Sequence, residues 1–329
     1  MSDGTKAETD SVMVESKNEL SPTQLSILTR FKEGAERRLD AHSGTVLALV
    51  ENMGRIYSGG KDDAIRVWNM KTLELEKVIE LEHGAAVWSM ASWQDKLMTG
   101  HDDGKVRVWN LSSGLCEQVL EGHEDGVNAL AVCGTRLASA SDDCTVRLWA
   151  MGAGLGWQCE RTLEGHRGLV SCLAVWQDKV ISGSWDDSIR IWEVETGALA
   201  KTLAGHADTV MALLVHGSRL FSASVDGKVR VWSLGGDWAA LRSLVVYPPG
   251  SGQWVRCLAA SAVGLAAGSF GPEDAGRRFE LQVWDPETLE VRRTVRLPGG
   301  QRVLTLLGTA DGEVWGAVGD MSVAVWGRE

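Results

Sequence analysis

The sequence has few aromatic residues other than tryptophan, no excess of basic residues and no long apolar segment. Lys and Arg number 33 against 44 Asp and Glu, which gives a net charge of −11. This balance excludes a general attraction to nucleic acid or anionic lipid, because both require basic patches. The longest apolar runs fall far short of the roughly 18 residues that a membrane-spanning helix needs. We therefore expect a chain that binds neither nucleic acid nor membrane.

The cysteines lack the spacing that metal and redox sites require. There is no C-x-x-C pair, no matching pair of histidines and no glycine-rich phosphate loop followed by Lys and Ser or Thr. No secretory signal is evident within Met1–Leu20. We predict no metal, no cofactor and no disulfide framework, with a cytoplasmic or alternatively nuclear location. We expect most of the cysteines to be small apolar residues in strands; the six are Cys116, Cys133, Cys144, Cys159, Cys172 and Cys257.

Tryptophan is the abundant aromatic residue, with 15 Trp against 4 Phe and 2 Tyr. Seven of these tryptophans end a strand-like phrase such as IRVW or VRLW, and their successive separations are 41, 40, 43, 40, 52 and 42 residues. A recurrence every 40 to 45 residues is typical of a four-stranded propeller blade. The seven residues are Trp68, Trp109, Trp149, Trp192, Trp232, Trp284 and Trp326.

Three further residue types recur in step with the first five of these tryptophans. A histidine stands 26 residues before each Trp, and a hydroxyl residue and an aspartate lie between them at constant spacing. The histidines are His42, His83, His123, His166 and His206. The hydroxyl residues are Ser58, Thr99, Ser139, Ser182 and Ser222, and the aspartates are Asp62, Asp103, Asp143, Asp186 and Asp226.

Gly-His, then Ser-x-x-x-Asp, then Trp resembles the WD-repeat signature, although the WD dipeptide itself occurs once, at Trp284–Asp285. The resemblance covers roughly residues 35–329 and implies an all-β, seven-bladed WD-repeat β-propeller. It also implies that each His, hydroxyl, Asp and Trp set forms a buried hydrogen-bonded chain. In similar proteins an N-terminal strand completes the last blade, and here the segment AERRLDAH before His42 is the candidate. Such closure protects the sheet edges.

Two segments precede the predicted propeller. Residues 1–20 carry five acids, two lysines and little apolar surface, so we expect a disordered acidic tail. Residues 21–34 predict a short amphipathic helix, with Ser21 as N-cap and Pro22 at the first helical position. Its apolar face is Leu25, Leu28 and Phe31. This helix either packs on the flank of the propeller or binds a partner.

The last two blades depart from the pattern. Blade six has Ser251, Ala267 and Arg278 where His, Ser and Asp are expected, and seven extra residues precede Trp284. Blade seven keeps Asp320 and Trp326 but has glycine at the other two positions. Both blades can still fold, because neighbouring repeats supply much of the packing in a ring.

The recurring Ser, His and Asp also occur together in hydrolases. A nucleophile requires an exposed hydroxyl, a nearby base and donors for the developing oxyanion. Five copies around a ring, each tied to a Trp, instead favour a structural role. A propeller enzyme is the remote alternative. His101 and His216 lie outside the repeat pattern, and we expect surface or loop positions for them.

In similar proteins the His loop and the Asp turn open on the same, narrower face of the ring, where partners often bind, so the resemblance implies a partner-binding face here. Five residues after the His position stand Leu47, Trp88, Asn128, Ser171, Met211, Arg256 and Leu304. Before the Asp stand Lys61, Asp102, Asp142, Trp185 and Val225, and three after the His position stand Leu169, Trp254 and Arg302. The predicted partner contacts are Leu47, Trp88, Asp102, Asp142, Trp185, Met211, Trp254 and Arg256.

We therefore predict a non-enzymatic scaffold or adaptor that binds a protein or peptide on this face. Aromatic rings beside carboxylates favour a basic feature in the partner, while Arg256 gives blade six the opposite sign. The chain is expected to be monomeric within a larger complex. The alternative is a substrate-recognition subunit of a ubiquitin ligase, because the compact turns resemble WD domains of F-box and TRAF-type ligases.

Overall fold

The computed structural model describes residues 37–81, 84–152, 154, 156–248, 251–262, 264–271, 280–297, 302–310, 312–318 and 321–326. These residues form 28 β-strands, and none of them lies in a helix. The predicted acidic tail (1–20) and amphipathic helix (21–34) lie outside the described residues. The structure describes no helix of the length and apolarity needed to span a bilayer.

The strands form seven four-stranded antiparallel sheets, or blades. A first strand, β1 (Arg37–Asp40), precedes blade one, which contains β2 (Val46–Asn52), β3 (Arg55–Gly60), β4 (Ala64–Asn69) and β5 (Leu75–Glu80). Blade two contains β6 (Val87–Trp93), β7 (Lys96–His101), β8 (Val106–Asn110) and β9 (Cys116–Leu120). Blade three contains β10 (Val127–Cys133), β11 (Arg136–Ser141), β12 (Val146–Gly152) and β13 (Gly156–Leu163).

The remaining blades repeat this order. Blade four contains β14 (Val170–Trp176), β15 (Lys179–Ser184), β16 (Ile189–Glu193) and β17 (Leu199–Leu203). Blade five contains β18 (Val210–His216), β19 (Arg219–Ser224), β20 (Lys228–Ser233) and β21 (Ala240–Val245). Blade six contains β22 (Trp254–Ser261), β23 (Gly264–Phe270), β24 (Glu280–Trp284) and β25 (Val291–Arg296). Blade seven contains β26 (Val303–Gly308), β27 (Val314–Val318) and β28 (Ser322–Trp326).

The N-terminal strand supplies the fourth strand of blade seven. β1 pairs with β28, with Arg37 opposite Val325 and Asp40 opposite Ser322, so the sheet order is β1-β28-β27-β26. The first strands of neighbouring blades contact one another around the ring, including β2 with β26. The prediction of a seven-bladed propeller closed by an N-terminal strand is confirmed.

The apolar residues are divided among the joints between blades. Each of seven buried clusters contains side chains of two adjacent blades and one of the seven strand-ending tryptophans. Trp109 of blade two, for example, packs with Tyr57 and Ile65 of blade one. The alternation of apolar residues along each strand directs one set of side chains toward each neighbouring blade. A tryptophan at every joint explains why this residue is so frequent.

Two further tryptophan pairs join blades. Trp93 meets Trp157 and Trp176 meets Trp238, each edge to face with ring centroids 5.3 Å apart. Trp157 and Trp238 are buried. Edge-to-face contact is favourable for aromatic rings, so these pairs add a second connection between blades two and three and between blades four and five.

A β-bulge interrupts the first strand pair in every blade. The pairing of β2 with β3 shifts between Val46 and Ala48, which leaves Leu47 without a partner in the ladder. The same shift occurs in the other six blades. A bulge inserts one extra residue and re-aims its side chain. Seven equivalent side chains are thus singled out around the ring.

Candidate functional site

Four blades contain a complete chain from tryptophan to carboxylate. In blade three the Trp149 indole donates to Ser139 Oγ over 2.8 Å, and Ser139 lies 2.7 Å from His123 Nε2. His123 Nδ1 lies 2.7 Å from an Asp143 oxygen. The corresponding residues are joined in the same way in blades one, four and five. Those sets are His42, Ser58, Asp62 and Trp68; His166, Ser182, Asp186 and Trp192; and His206, Ser222, Asp226 and Trp232.

These hydrogen bonds determine which nitrogen of each imidazole carries the proton. A carboxylate can only accept, so His Nδ1 donates to Asp and Nε2 accepts from the hydroxyl. Burial raises the pKa of Asp143, but hydrogen bonds from His123 and Thr145 outweigh it and hold that pKa well below its usual range. Burial lowers the pKa of His166 despite the nearby Asp186. His166 is therefore neutral and Asp143 ionised at neutral pH.

The hydroxyls of these chains are inaccessible to a substrate. Ser58, Ser139, Ser182 and Ser222 are fully buried, and each hydroxyl oxygen accepts a hydrogen bond from a tryptophan. A nucleophilic serine must reach the substrate. The geometry of these sets instead suits a rigid, fully satisfied polar network.

In blade two, His101 contacts the hydroxyl of Thr99. His83 lies outside the described residues, whereas His101 is fully buried and its Nε2 lies 2.7 Å from Thr99 Oγ1. Trp109 donates to the same hydroxyl over 2.8 Å. The expectation of a surface or loop position for His101 is therefore wrong. A histidine two residues after the hydroxyl, where blades three to five have serine, is the signal that the repeat pattern missed.

The aspartate of blade two contacts an arginine. Asp103 accepts from both terminal nitrogens of the Arg107 guanidinium, at 3.1 and 2.6 Å. Burial raises the pKa of Asp103, but the Arg107 hydrogen bond and the Lys105 backbone outweigh it and lower that pKa overall. Asp103 is thus part of an ion pair with Arg107.

In the described part of blades six and seven, Ala267 and Gly316 stand at the hydroxyl position, so the tryptophan has no hydroxyl there. Trp326 Nε1 is buried and has no hydrogen-bond partner in the described part of the structure. A Cβ at Gly316, where the other blades have a hydroxyl residue, would lie 2.6 Å from the Trp326 ring. The tryptophan therefore occupies the space that a serine would need. Arg278 and Asp320 lie outside the described residues.

Blade six presents a residue that sequence analysis missed. β23 continues to Phe270, which pairs with Trp254 of β22, so Phe270 stands where Asp102, Asp142 and Trp185 stand in their blades. The constant spacing between Asp and Trp in the regular blades, counted back from Trp284, assigns the Asp position to Arg278. That count assumes that the inserted residues precede Arg278. The strand register instead assigns that position to Gly271.

The seven bulge residues converge on one channel. They line, with their strand neighbours, a central cavity of about 220 Å³. These seven are Leu47, Trp88, Asn128, Ser171, Met211, Arg256 and Leu304. Every position five residues after the predicted His position thus lies on the channel wall. We call this set, together with the residue before each Asp position, the channel mouth.

The predicted partner contacts fall into two groups. Leu47, Trp88, Met211 and Arg256 line the channel and are partly buried. In the loops, Asp102 is exposed and Asp142 is partly buried, while the Trp185 side chain is 56% exposed. Trp254 is partly buried and its ring lies 5.4 Å from that of Phe270.

Trp88 already has a cation of this chain beside it. Lys61 of blade one places its Nζ 5.5 Å from the centroid of the Trp88 ring. The Trp88 indole nitrogen is buried and has no hydrogen-bond partner among the described residues. A basic group of a partner would therefore meet Lys61 at the Trp88 ring. Trp185 is the more accessible aromatic ring.

Carboxylates crowd the mouth at blades two and three. A Cβ at Gly126 would lie 3.4 Å from Asp142 Oδ2 and 3.6 Å from Asp102 Cα, so these two aspartates flank one glycine. Asn128 donates to Asp142 over 2.5 Å. Burial, with the charges of Asp125 and Asp143, raises the pKa of Asp142. Burial and Asp208 likewise raise the pKa of Asp187.

The described residues contain no group of three or more His, Cys, Asp or Glu side chains placed to hold a metal ion. All six cysteines are free thiols. Burial raises the pKa of both Cys172 and Cys257 to about 12, so these two channel-lining thiols are neutral at physiological pH.

Known proteins were compared with the chain at the level of family, sequence and structure. No curated protein matches it. The crystal structure of the WD40 beta propeller domain of Doa1 is similar to the chain with a TM-score of 0.75 and 21% sequence identity, over 89% of this chain and 96% of that one. The WD domain, G-beta repeat family matches residues 35–69, 75–110, 114–150, 157–193 and 197–233, which correspond to the five blades with regular spacing. The chain therefore belongs to the WD domain, G-beta repeat family.

Proposed function

We propose that this chain is a non-enzymatic adaptor that binds a protein or peptide at the channel mouth. WD40 propellers generally serve as protein-interaction scaffolds. A substrate-recognition role in a ubiquitin ligase would be a special case of this proposal, in which the substrate is the bound partner.

The observation that carries the proposal is the convergence of seven bulge side chains on one channel. Several of these side chains are large and apolar, and Leu47, Trp88 and Met211 belong to none of the buried clusters between blades. Trp185 adds a mostly exposed indole on the loop beside them. Aromatic residues are enriched among the side chains that contribute most to binding energy at interfaces. The mouth therefore offers both a recess and an aromatic anchor.

Charge favours a basic feature in the partner. Asp102 and Asp142 both lie close to Gly126, and burial together with neighbouring carboxylates raises the pKa of Asp142. A Lys or Arg side chain placed among these carboxylates would relieve their repulsion. An indole nearby adds roughly 0.5–2 kcal/mol per cation–π contact, and Trp185 has the exposure for such a contact.

The test is a selection from a displayed library of random peptides on the purified full-length chain. We expect enriched peptides to contain Lys or Arg and to lose affinity for the double variant Asp102→Lys/Asp142→Lys and for Trp185→Ala. The matched control is Glu74→Lys/Glu80→Lys, which changes the same charge at exposed positions of blade one. Each variant is first checked for folding by thermal denaturation.

Two results would contradict the proposal. One is that the selected peptides bind the channel-mouth variants as well as they bind the wild type. The other is that binding is abolished by the control pair, which would place the interaction on the outer surface of the ring.

A further inference from the structure

A lysine and a tryptophan meet across the joint between blades one and two at the channel mouth. Lys61 lies in the turn between β3 and β4, and its backbone nitrogen donates to the Thr45 carbonyl oxygen over 3.0 Å. Trp88 is the bulge residue of blade two and lines the channel. The Lys61 ammonium lies 5.5 Å from the centroid of the Trp88 ring, which is within the range of a cation–π contact. The chain therefore supplies a cation to its own aromatic ring.

Among blades one to six, only blade one has a basic residue at this position of the mouth. The residue before the Asp position in blades two to six is acidic, aromatic or aliphatic, and these residues are Asp102, Asp142, Trp185, Val225 and Phe270. Trp185 is 56% exposed, and no cation–π contact of the described residues involves its ring. In the described structure Trp88 thus has a cation at its ring, and Trp185 has none.

The ring is the group that holds the Lys61 ammonium in the described structure. No salt bridge of the described residues includes Lys61. The carboxylate that follows it in the sequence, Asp62, already accepts from His42 at 2.9 Å and from Arg66 at 2.6 Å. Lys61 is exposed, whereas Trp88 is partly buried and its indole nitrogen is fully covered. The channel wall therefore fixes the ring, and the ring fixes the ammonium.

A basic group of a partner gains little from a ring that already has a cation. The attraction comes from the quadrupole of the ring, and one ring face accommodates one cation. A Lys or Arg of the partner must therefore displace Lys61 from Trp88. Until it does so it is repelled by the ammonium, and this repulsion grows as water is excluded from the mouth. Neither effect opposes binding at Trp185.

We propose that Lys61 determines where the basic group of the partner binds. Its ammonium occupies the Trp88 ring as an internal ligand and excludes a Lys or Arg of the partner from that ring. The basic group is thereby directed to Trp185, two blades away. This inference rests on the proposed function and makes it more specific, because it assigns opposite roles to two tryptophans of the same mouth. Without the lysine, Trp88 becomes a second site for a cation.

The first experiment uses a small cation and needs no peptide. Methylguanidinium is titrated into the full-length chain at constant ionic strength while NMR follows the indole Nε–Hε signals, assigned with Trp88→Phe and Trp185→Phe. In the wild type we expect the Trp185 signal to shift with concentration more than the Trp88 signal. In Lys61→Met, which keeps a long side chain without the charge, the Trp88 signal should shift as well.

Lys105→Met is the matched control. Lys105 is an exposed lysine of blade two that pairs with Glu121 over 3.0 Å, so this variant removes the same charge without changing the Trp88 ring contact. It should titrate like the wild type. The proposal is overturned if the Trp88 signal shifts equally in the wild type and Lys61→Met, or if Lys105→Met exposes Trp88 to the cation as effectively as Lys61→Met does.

The second experiment repeats the peptide selection on Lys61→Met. We expect the wild type to select one Lys or Arg position and Lys61→Met to select a second one. Peptides with both basic residues should bind Lys61→Met about 2- to 5-fold more tightly than the wild type, as for gain of one exposed cation–π contact. This gain should disappear when Trp88→Leu is added, because a general effect of charge does not depend on the ring.

The two experiments separate this inference from the function on which it rests. If basic peptides bind the mouth of the wild type but Lys61→Met shows neither a second basic position nor a dependence on Trp88, the role of Lys61 is wrong and the adaptor proposal stands. If methylguanidinium reaches Trp88 only in Lys61→Met while no peptide binds the mouth, the adaptor proposal fails and the exclusion of cations by Lys61 stands.

Discussion

Thr99 and His101 lie two residues apart on β7, and the threonine hydroxyl meets imidazole Nε2 at 2.7 Å. The other imidazole nitrogen lies 3.1 Å from the carbonyl oxygen of Ala85. The His101 side chain thus connects the Thr99 hydroxyl to the backbone of the loop before β6. In blades one, three, four and five a histidine from the preceding loop makes the equivalent contact. The contact between a hydroxyl and an imidazole thus occurs in all five of these blades, and in blade two the histidine lies on the same strand as the hydroxyl.

Replacement of His101 should destabilise the fold more than replacement of another unassigned histidine. His101→Ala removes a fully buried ring and its hydrogen bond to Thr99, which should lower the free energy of unfolding by about 2–3 kcal/mol. His216→Ala, at the partly buried end of β18, should change it by less than about 1 kcal/mol. Urea denaturation measures both. Equal effects would show that His101 contributes no more than surface packing.

Adjacent aspartates of blade three should behave differently. Asp143→Ala leaves His123 without its charged acceptor and should cost about 1–3 kcal/mol of stability. Asp142→Ala should change stability by about 0.5 kcal/mol or less, because burial and nearby carboxylates already raise the pKa of Asp142 and disfavour its charge. Thermal denaturation of the two variants provides the comparison. A larger loss for Asp142→Ala would mean that the polar chain contributes little to stability.

Stability should fall in two stages as the solution is acidified. Burial lowers the pKa of His42 and His166 below the ordinary 6.5, so below about pH 6.5 the unfolded chain takes up protons that the folded chain does not. The free energy of unfolding should then decrease by up to about 1.4 kcal/mol per pH unit for each such histidine. The lowered pKa of Asp143 and Asp186 adds stability that is lost as the pH falls below the ordinary 3.8.

Denaturation curves recorded across this pH range measure both stages. In His166→Asn the first stage should be shallower, because one of the two histidines no longer titrates. A stability that stays constant from neutral pH down to about pH 5 would contradict the neutral, buried state assigned to His42 and His166.

Closure of the ring can be tested by two truncations. A chain that begins at Ala35 keeps β1 and should retain its melting temperature. A chain that begins at Ala41 keeps His42 but loses β1, the pairing with β28 and the packing of Leu39 at the joint between blades seven and one. We expect a loss of about 2–4 kcal/mol, measured by thermal denaturation, and self-association through the exposed edge of β28. Equal melting temperatures would contradict closure by β1.

The architecture could be predicted because it repeats. Seven tryptophans at nearly constant spacing determine the blade number, and the same count of five residues after each His position identifies the channel-lining side chains from Leu47 to Leu304. Counting residues along the chain works where each blade has the same number of residues between its His position and its strand-ending tryptophan. It therefore picked out the same position in every blade, which was predicted to be exposed on the partner-binding face and which the structure places, partly buried, on the channel wall.

The failures arise where one blade departs from that count. His101 replaces a serine two positions after the hydroxyl, and a pattern based on Gly-His does not search there. Phe270 was missed because the count back from Trp284 assumed that the extra residues of blade six precede the Asp position. The strand register places them after that position. The contact between Lys61 and Trp88 joins two blades, and no spacing along the chain indicates which side chains meet across a joint.

The division of the apolar residues among seven joints has a consequence for how this protein changes over evolution. The side chains at the joints form the buried clusters, and of the seven bulge residues on the channel wall Leu304 packs against one of those clusters while the other six belong to none. Substitutions on the wall can therefore accumulate without weakening the ring. A tryptophan, an asparagine, a methionine and an arginine already occupy equivalent positions in different blades. The specificity of the channel can diverge quickly within a scaffold that changes slowly.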